Sequence, residues 1–170
     1  MTMGVHHADT LQYCFGPVKR VSAFFNKLYL PADVEDVNVA IFQFESGVLG
    51  YLGSTYVSPR VNWMNVHGTD AILSCTVSLP TTSNRDEYFK IWPVVDNYTT
   101  LQLFEKNKDK PEAIPLSIGD PILEEIDEFA DCIRTGKKPE TDGQGALTAL
   151  ALIRAAIESA HTGKPVEPKV

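Results

Sequence analysis

Gly4-Val5-His6-His7-Ala8-Asp9 is the sharpest chemical feature of this 170-residue chain. Read as a helix, His6 and Asp9 lie one turn apart and share a face. A carboxylate in that position can fix the imidazole tautomer and favour its charged form, as in a general acid–base. Such a pair in a first helical turn also serves purely structural ends, and the residues alone leave both readings open. His7 is rotated by about 100° from His6 and so takes a different role. A second feature is Ser54-Thr55-Tyr56 followed by Arg60 and Trp63. Hydroxyl, aromatic and cationic groups at a strand end and in the following loop are the materials of a pocket, and equally of an amphipathic strand end. Zinc takes three or four ligands, and His67 and His161 stand at no metal-binding spacing, so no metal site is expected. No GxGxxG, GxxxxGK[ST] or GxSxG pattern occurs, so no cofactor-binding residues are expected in the chain itself.

The elements that must hold these groups follow from hydrophobic period. Val5, Ala8, Leu11 and Phe15 recur at helical spacing, and Gly16-Pro17 stops the helix. Its other face carries Thr2, His6, Asp9 or Thr10, and Tyr13. Strands are expected at 18–30, 37–44, 48–57, 62–67, 71–79, 88–94 and 99–104, with the charged run 105–110 as a turn. Strand 37–44 is apolar on both sides: Val37, Val39 and Ile41 on one, Ala40, Phe42 and Phe44 on the other. A sheet wetted on one side alternates apolar with polar, so both of these faces need a cover. Helices cover one, and a second subunit or domain covers the other.

The last third changes period. Asp120 is a good N-cap, Pro121 suits the first helical position, and Ile122, Ile126, Phe129 and Ile133 are expected as a buried stripe before Gly136. A second helix is expected over 143–161, with Ala146, Leu150, Ile153, Ile157 and Ala160 inward. A helix, many strands and then two helices predict an α+β fold in a single domain over 1–170. Its sheet is open and mostly antiparallel or mixed. Helices pack on one face, and the other face is available for oligomerisation.

Composition sets the class. With 44% hydrophobic and 22% charged residues the chain is an ordinary globular protein. A net charge of −7, without any dense Lys/Arg block, argues against nucleic-acid binding. The apolar runs fall well short of the roughly 18 residues of a membrane span. No cationic segment leads into an apolar run at the start, so no signal peptide is expected. Cys14, Cys75 and Cys132 are odd in number and far apart, which predicts reduced thiols and a cytoplasmic location.

Taken in order, GVHHAD, FGPVKRVSA, FESGVLGYLGST, VHGTDAIL, EEIDEFADCIRTGKKP and ALIRAAIESAHTGKPVEP resemble the C-terminal domain of the Gfo/Idh/MocA oxidoreductases, from residue 2 to about 168. That resemblance implies a separate N-terminal Rossmann domain for NAD or NADP. It also implies an open sheet whose free face forms oligomers, and redox chemistry on a sugar, polyol or related small molecule. His6, with Gly4 two residues before it, matches the family's catalytic histidine, whose implied role is proton transfer at the substrate hydroxyl. Asp9 matches an acidic residue three positions later, which lies near the substrate or orients the helix. Thr2 stands where the family has an aspartate; it can hydrogen-bond a substrate but holds no charge. The substrate-binding set is thus Thr2, Asp9, Arg60 and Trp63. The cofactor domain and its catalytic lysine are expected to be missing from this sequence, so the chain alone is expected to bind no nicotinamide and not to turn over. The implied partners are a sugar-like substrate and further copies of the chain. The alternative is a stand-alone, non-catalytic binding or oligomerisation module. A metal-dependent hydrolase or isomerase built on His6 and Asp9 fits the residues less well.

Overall fold

The computed structural model describes every residue except 1–3, 60, 81–83, 85, 88 and 89 and the side chain of Trp92. In chain order the elements are α1 (Gly4–Phe15), β1 (Val18–Asn26), β2 (Val37–Phe44), β3 (Leu49–Thr55), β4 (Val61–His67), β5 (Ala71–Ser78), a 3-10 helix (Trp92–Tyr98), β6 (Thr99–Glu105), β7 (Glu112–Ile114), α2 (Pro121–Thr135) and α3 (Gly143–Thr162). This is the α+β fold expected, with open antiparallel sheets. The chain divides into two compact units, Met1–Ser58 with Glu140–Val170, and Pro59–Pro139.

In the first unit β1, β2 and β3 form an antiparallel sheet in that order, with Phe42 opposite Val21 and Gly50. Strand alternation puts Asn38, Ala40, Phe42 and Phe44 on the buried side and Val39 and Ile41 on the open side. The buried side packs with Ala8 of α1 and with Leu152, Ile153, Ala155 and Ala156 of α3. The Phe15 ring tilts against Phe44 at a centroid distance of 5.5 Å. Gly50 leaves room for the Phe44 ring, because a methyl group there would meet it at 3.2 Å. The inner face of α3 is rotated from the expected one: Leu150 is exposed, whereas Leu152 and Ala156 are enclosed. Small residues let α3 approach β1 so closely that the Ala23 N–H donates to the Ser159 Oγ at 3.0 Å. Val21 exchanges two 2.9 Å backbone bonds with Val166, so the outer edge of β1 is partly covered by the chain's own tail.

Asp36, just before β2, organises one end of this sheet. Its buried carboxylate accepts the N–H groups of Leu28 at 2.9 Å, Tyr29 at 2.6 Å and Leu30 at 2.7 Å. Those donors, that of Leu30 foremost, hold its carboxyl below the usual aspartate range.

In the second unit β4, β5, β6 and β7 form an antiparallel sheet in that order. The charged run after β6 turns the chain into β7, and Lys108 bridges Glu105 and Glu112. Two expectations are corrected here. The segment expected as a strand over 88–94 instead enters the 3-10 helix, with Tyr88 and Phe89 outside the described residues. Pro93 lacks the donor a strand needs, and Asp96 is engaged at both carboxylate oxygens by the Ile118 N–H at 3.0 and 3.1 Å. The caps of α2 are as expected, with Asp120 accepting from Ile122 and Leu123 and Gly136 left-handed. Its apolar stripe is not buried: Ile122, Ile126, Phe129 and Ile133 are 41% to 71% exposed. The half-buried positions of α2 are instead Pro121, Glu128, Ala130 and Cys132.

Leu152 is 0% exposed at the centre of the first unit. Leu152→Ala should therefore cost about 2–5 kcal/mol in chemical denaturation, and a loss below about 1 kcal/mol would show the layer to be loosely packed. Asp36, with its lowered pKa, contributes stability in full above the usual aspartate range and loses it as pH falls through the lowered value. Asp36→Asn should flatten the acid limb of the stability–pH curve; an unchanged limb would remove Asp36 as its origin.

Candidate active site

His6 stands on the first turn and a half of α1 with its side chain exposed, while Gly4 and Ala8 hold the opposite side of the helix in the core. The helix is reinforced at this point by the Thr10 Oγ1 donating to the His6 carbonyl at 2.9 Å. Asp9 is exposed on the same side. No hydrogen bond or ion pair links His6 with Asp9, so among the described residues the imidazole is open to an incoming group. Tyr13, two turns further on, donates its hydroxyl to Glu140 at 3.0 Å. That bond ties the far end of α1 to the segment before α3, and it raises the Tyr13 pKa.

His7 points elsewhere, as the helical rotation requires. It is half-buried, and burial first, then the neighbouring His6, pushes its imidazole below the ordinary histidine range.

The remaining expected site residues divide as follows. Thr2 and Arg60 lie outside the described residues. Trp63 is on β4, opposite Thr76 and 70% exposed, in the second unit, whereas His6 and Asp9 share the first. Ser54 is half-buried at the end of β3, and the hydroxyls of Thr55 and Ser58 lie 3.2 Å apart. Asp36 was not anticipated: its partners are backbone donors six to eight residues upstream, and no side-chain pattern announces them. No group of three or more potential metal ligands occurs among the described residues. The positive-φ glycines are Gly16, Gly47, Gly119, Gly136 and Gly163, and none opens a glycine-rich strand-to-helix turn of the kind that cradles a pyrophosphate. No helix among the described residues is long and apolar enough to cross a membrane.

A family profile described as the C-terminal alpha/beta domain of an oxidoreductase family, Gfo/Idh/MocA, matches residues 1–167. The chain belongs to the Gfo/Idh/MocA oxidoreductase family. A relative is the D-apiose dehydrogenase of Paraburkholderia graminis, 25% identical over 98% of this chain and 44% of that protein. Among solved structures, a protein of Desulfitobacterium hafniense provisionally named an NADPH-dependent oxidoreductase is 32% identical, with a TM-score of 0.88, over 98% of this chain and 47% of its own. The WlbA dehydrogenase of Bordetella pertussis, solved with NADH and UDP-GlcNAcA, shares the fold at a TM-score of 0.68 and 23% identity, over 100% of this chain and 45% of its own. The chain thus spans under half the length of each of these relatives.

His7 should titrate by NMR below the ordinary value of 6.5, and its burial stabilises fully above that value and progressively less as pH falls beneath it. A midpoint at or above 6.5 would show that its environment is wetter than its half-buried place in α1 requires.

Proposed function

We propose that this chain is the substrate-binding and oligomerisation domain of an NAD(P)-dependent oxidoreductase that acts on a sugar, polyol or related small molecule. Membership of the family carries this reading, together with the open imidazole of His6 at the head of a helix whose other side is locked in the core. The relatives named for D-apiose and solved with UDP-GlcNAcA support the carbohydrate class. The family match runs across both compact units, which we take as one domain over 1–170.

In this reading His6 takes the hydroxyl proton as an alcohol is oxidised, or returns it as a carbonyl is reduced. A nicotinamide bound by another part of the enzyme would supply the hydride chemistry, and this chain's own part is the proton at His6. Asp9, one turn along, hydrogen-bonds the substrate's other hydroxyls, and Thr2, Arg60 and Trp63 are the further substrate-binding residues of this reading. The free thiols suit a reducing, cytoplasmic setting. The open side of the three-stranded sheet carries Phe24, Val39, Ile41, Leu49 and Tyr51, all exposed, and meets a second copy there.

In the enzyme of full family length, His6→Ala should lower turnover by roughly 100-fold or more while the melting temperature stays close to wild type. An unchanged rate would remove His6 from the mechanism. Ile41→Asp, on the open side of β2, should reduce the molecular mass in solution without unfolding the chain. An unaltered oligomer would show that copies meet elsewhere, and a monomeric parent would rule out self-association altogether.

A further inference from the structure

The Asn26–Val37–Thr55 end of the three-stranded sheet holds a feature that proton transfer at His6 does not use. Besides receiving three N–H groups on its side chain, Asp36 accepts the Tyr56 N–H on its backbone carbonyl at 2.8 Å and donates its own N–H to Asn26 at 3.1 Å. One buried residue therefore fixes both the turn that carries Tyr29 and the exit of β3 that carries Tyr56. Each tyrosine amide bonds an atom of the same aspartate, so the two backbones lie within about 10 Å of each other. Both side chains are nevertheless in solvent, Tyr29 80% and Tyr56 73% exposed. The paired hydroxyls of Thr55 and Ser58 flank Tyr56 in sequence.

The position relative to α1 matters as well. Asp36 continues the Asn38–Ala40–Phe42–Phe44 side of β2, which is the side covered by helices. Phe15 tilts against Phe44 at the other end of that layer, and Val5 still packs on the same core about 15 Å along the helix. His6 therefore stands well away from the Phe44 end, on the same side of the sheet as the Asp36 clamp.

Two exposed aromatic side chains on segments that one buried residue ties together leave less backbone ordering to be done on binding. A tyrosine ring presents an apolar face and a polar tip. A carbohydrate ring matches both, with C–H groups on its face and hydroxyls around its rim. We propose that Tyr29 and Tyr56, positioned by Asp36, form a platform that stacks a carbohydrate ring, with the Thr55 and Ser58 hydroxyls at its edge. The platform rests on the reading of a sugar-like substrate and gives that substrate a second point of attachment, remote from the reacting carbon.

The test is saturation-transfer NMR on the 170-residue chain with methyl β-D-glucopyranoside, whose axial C–H groups make one flat apolar face. The tyrosine rings should transfer saturation to those axial protons. Tyr29→Ala and Tyr56→Ala should each weaken the interaction by about 5-fold, and the corresponding phenylalanine variants should retain most of it. Asp36→Asn should weaken it too, with both tyrosines still present; if that variant fails to fold, the exposed tyrosine positions carry the test by themselves. Equal binding by the wild type and both alanine variants would overturn the platform. So would the absence of transfer from the wild type to the glycoside, or tyrosine signals that broaden with protein concentration instead of with the glycoside, which would mark a contact between copies. None of these failures touches the oxidoreductase reading, which stands or falls with the kinetics of His6→Ala.

Discussion

Everything in the His6-bearing unit depends on keeping one side of a three-stranded sheet dry with only two helices. Val21, Ala23, Ala40, Phe42 and Phe44 form that side, and α3 covers it with Leu152 and a run of alanines. Close approach is what makes so small a cover sufficient, because dispersion and exclusion of water both need contact without gaps. The same closeness brings Ser159 onto the Ala23 amide, which would otherwise be an unpaired donor at the sheet's outer edge. α1 completes the cover through Ala8 and its neighbours, and this fixes the direction of His6. The catalytic geometry proposed for His6 is thus a consequence of packing on the far side of its own helix.

Polar groups in this unit are placed where backbone donors would otherwise go unmet. Asp36 illustrates this most fully, since one carboxylate serves three successive amides and its own backbone joins two strands. A buried charge is costly in isolation and becomes tolerable when several N–H dipoles converge on it. The outcome is a sheet end whose two loops are tied to one buried residue, although the side chains of Tyr29 and Tyr56 are in water.

Apolar surface is left open in both units. On the first it is the outer side of the sheet, with Ile41 and Tyr51; on the second it is the stripe of α2, with Phe129 and Ile133. Periodicity shows that a face is apolar, but the identity of its cover lies in contacts between elements. For α2 the caps and length were legible from Asp120, Pro121 and Gly136, because capping is decided within a few residues of chain. The expectation that its stripe is buried failed for the complementary reason: burial is decided by what lies opposite.

From sequence alone, strands β1 to β6, the helix ends and the position of His6 on a helical first turn could be read, since each depends on local spacing and local hydrogen bonding. The ordered motifs also sufficed to place the chain in its family. Tertiary structure alone decided that Leu152 and not Leu150 enters the core, and that 92–98 curls instead of extending. It also decided that Asp36 gathers amides from a preceding turn and the exit of β3. Those outcomes turn on partners distant in the chain, on helix rotation and on close approach. None of these is encoded in the residue types of one segment, and all follow once the segments share a core.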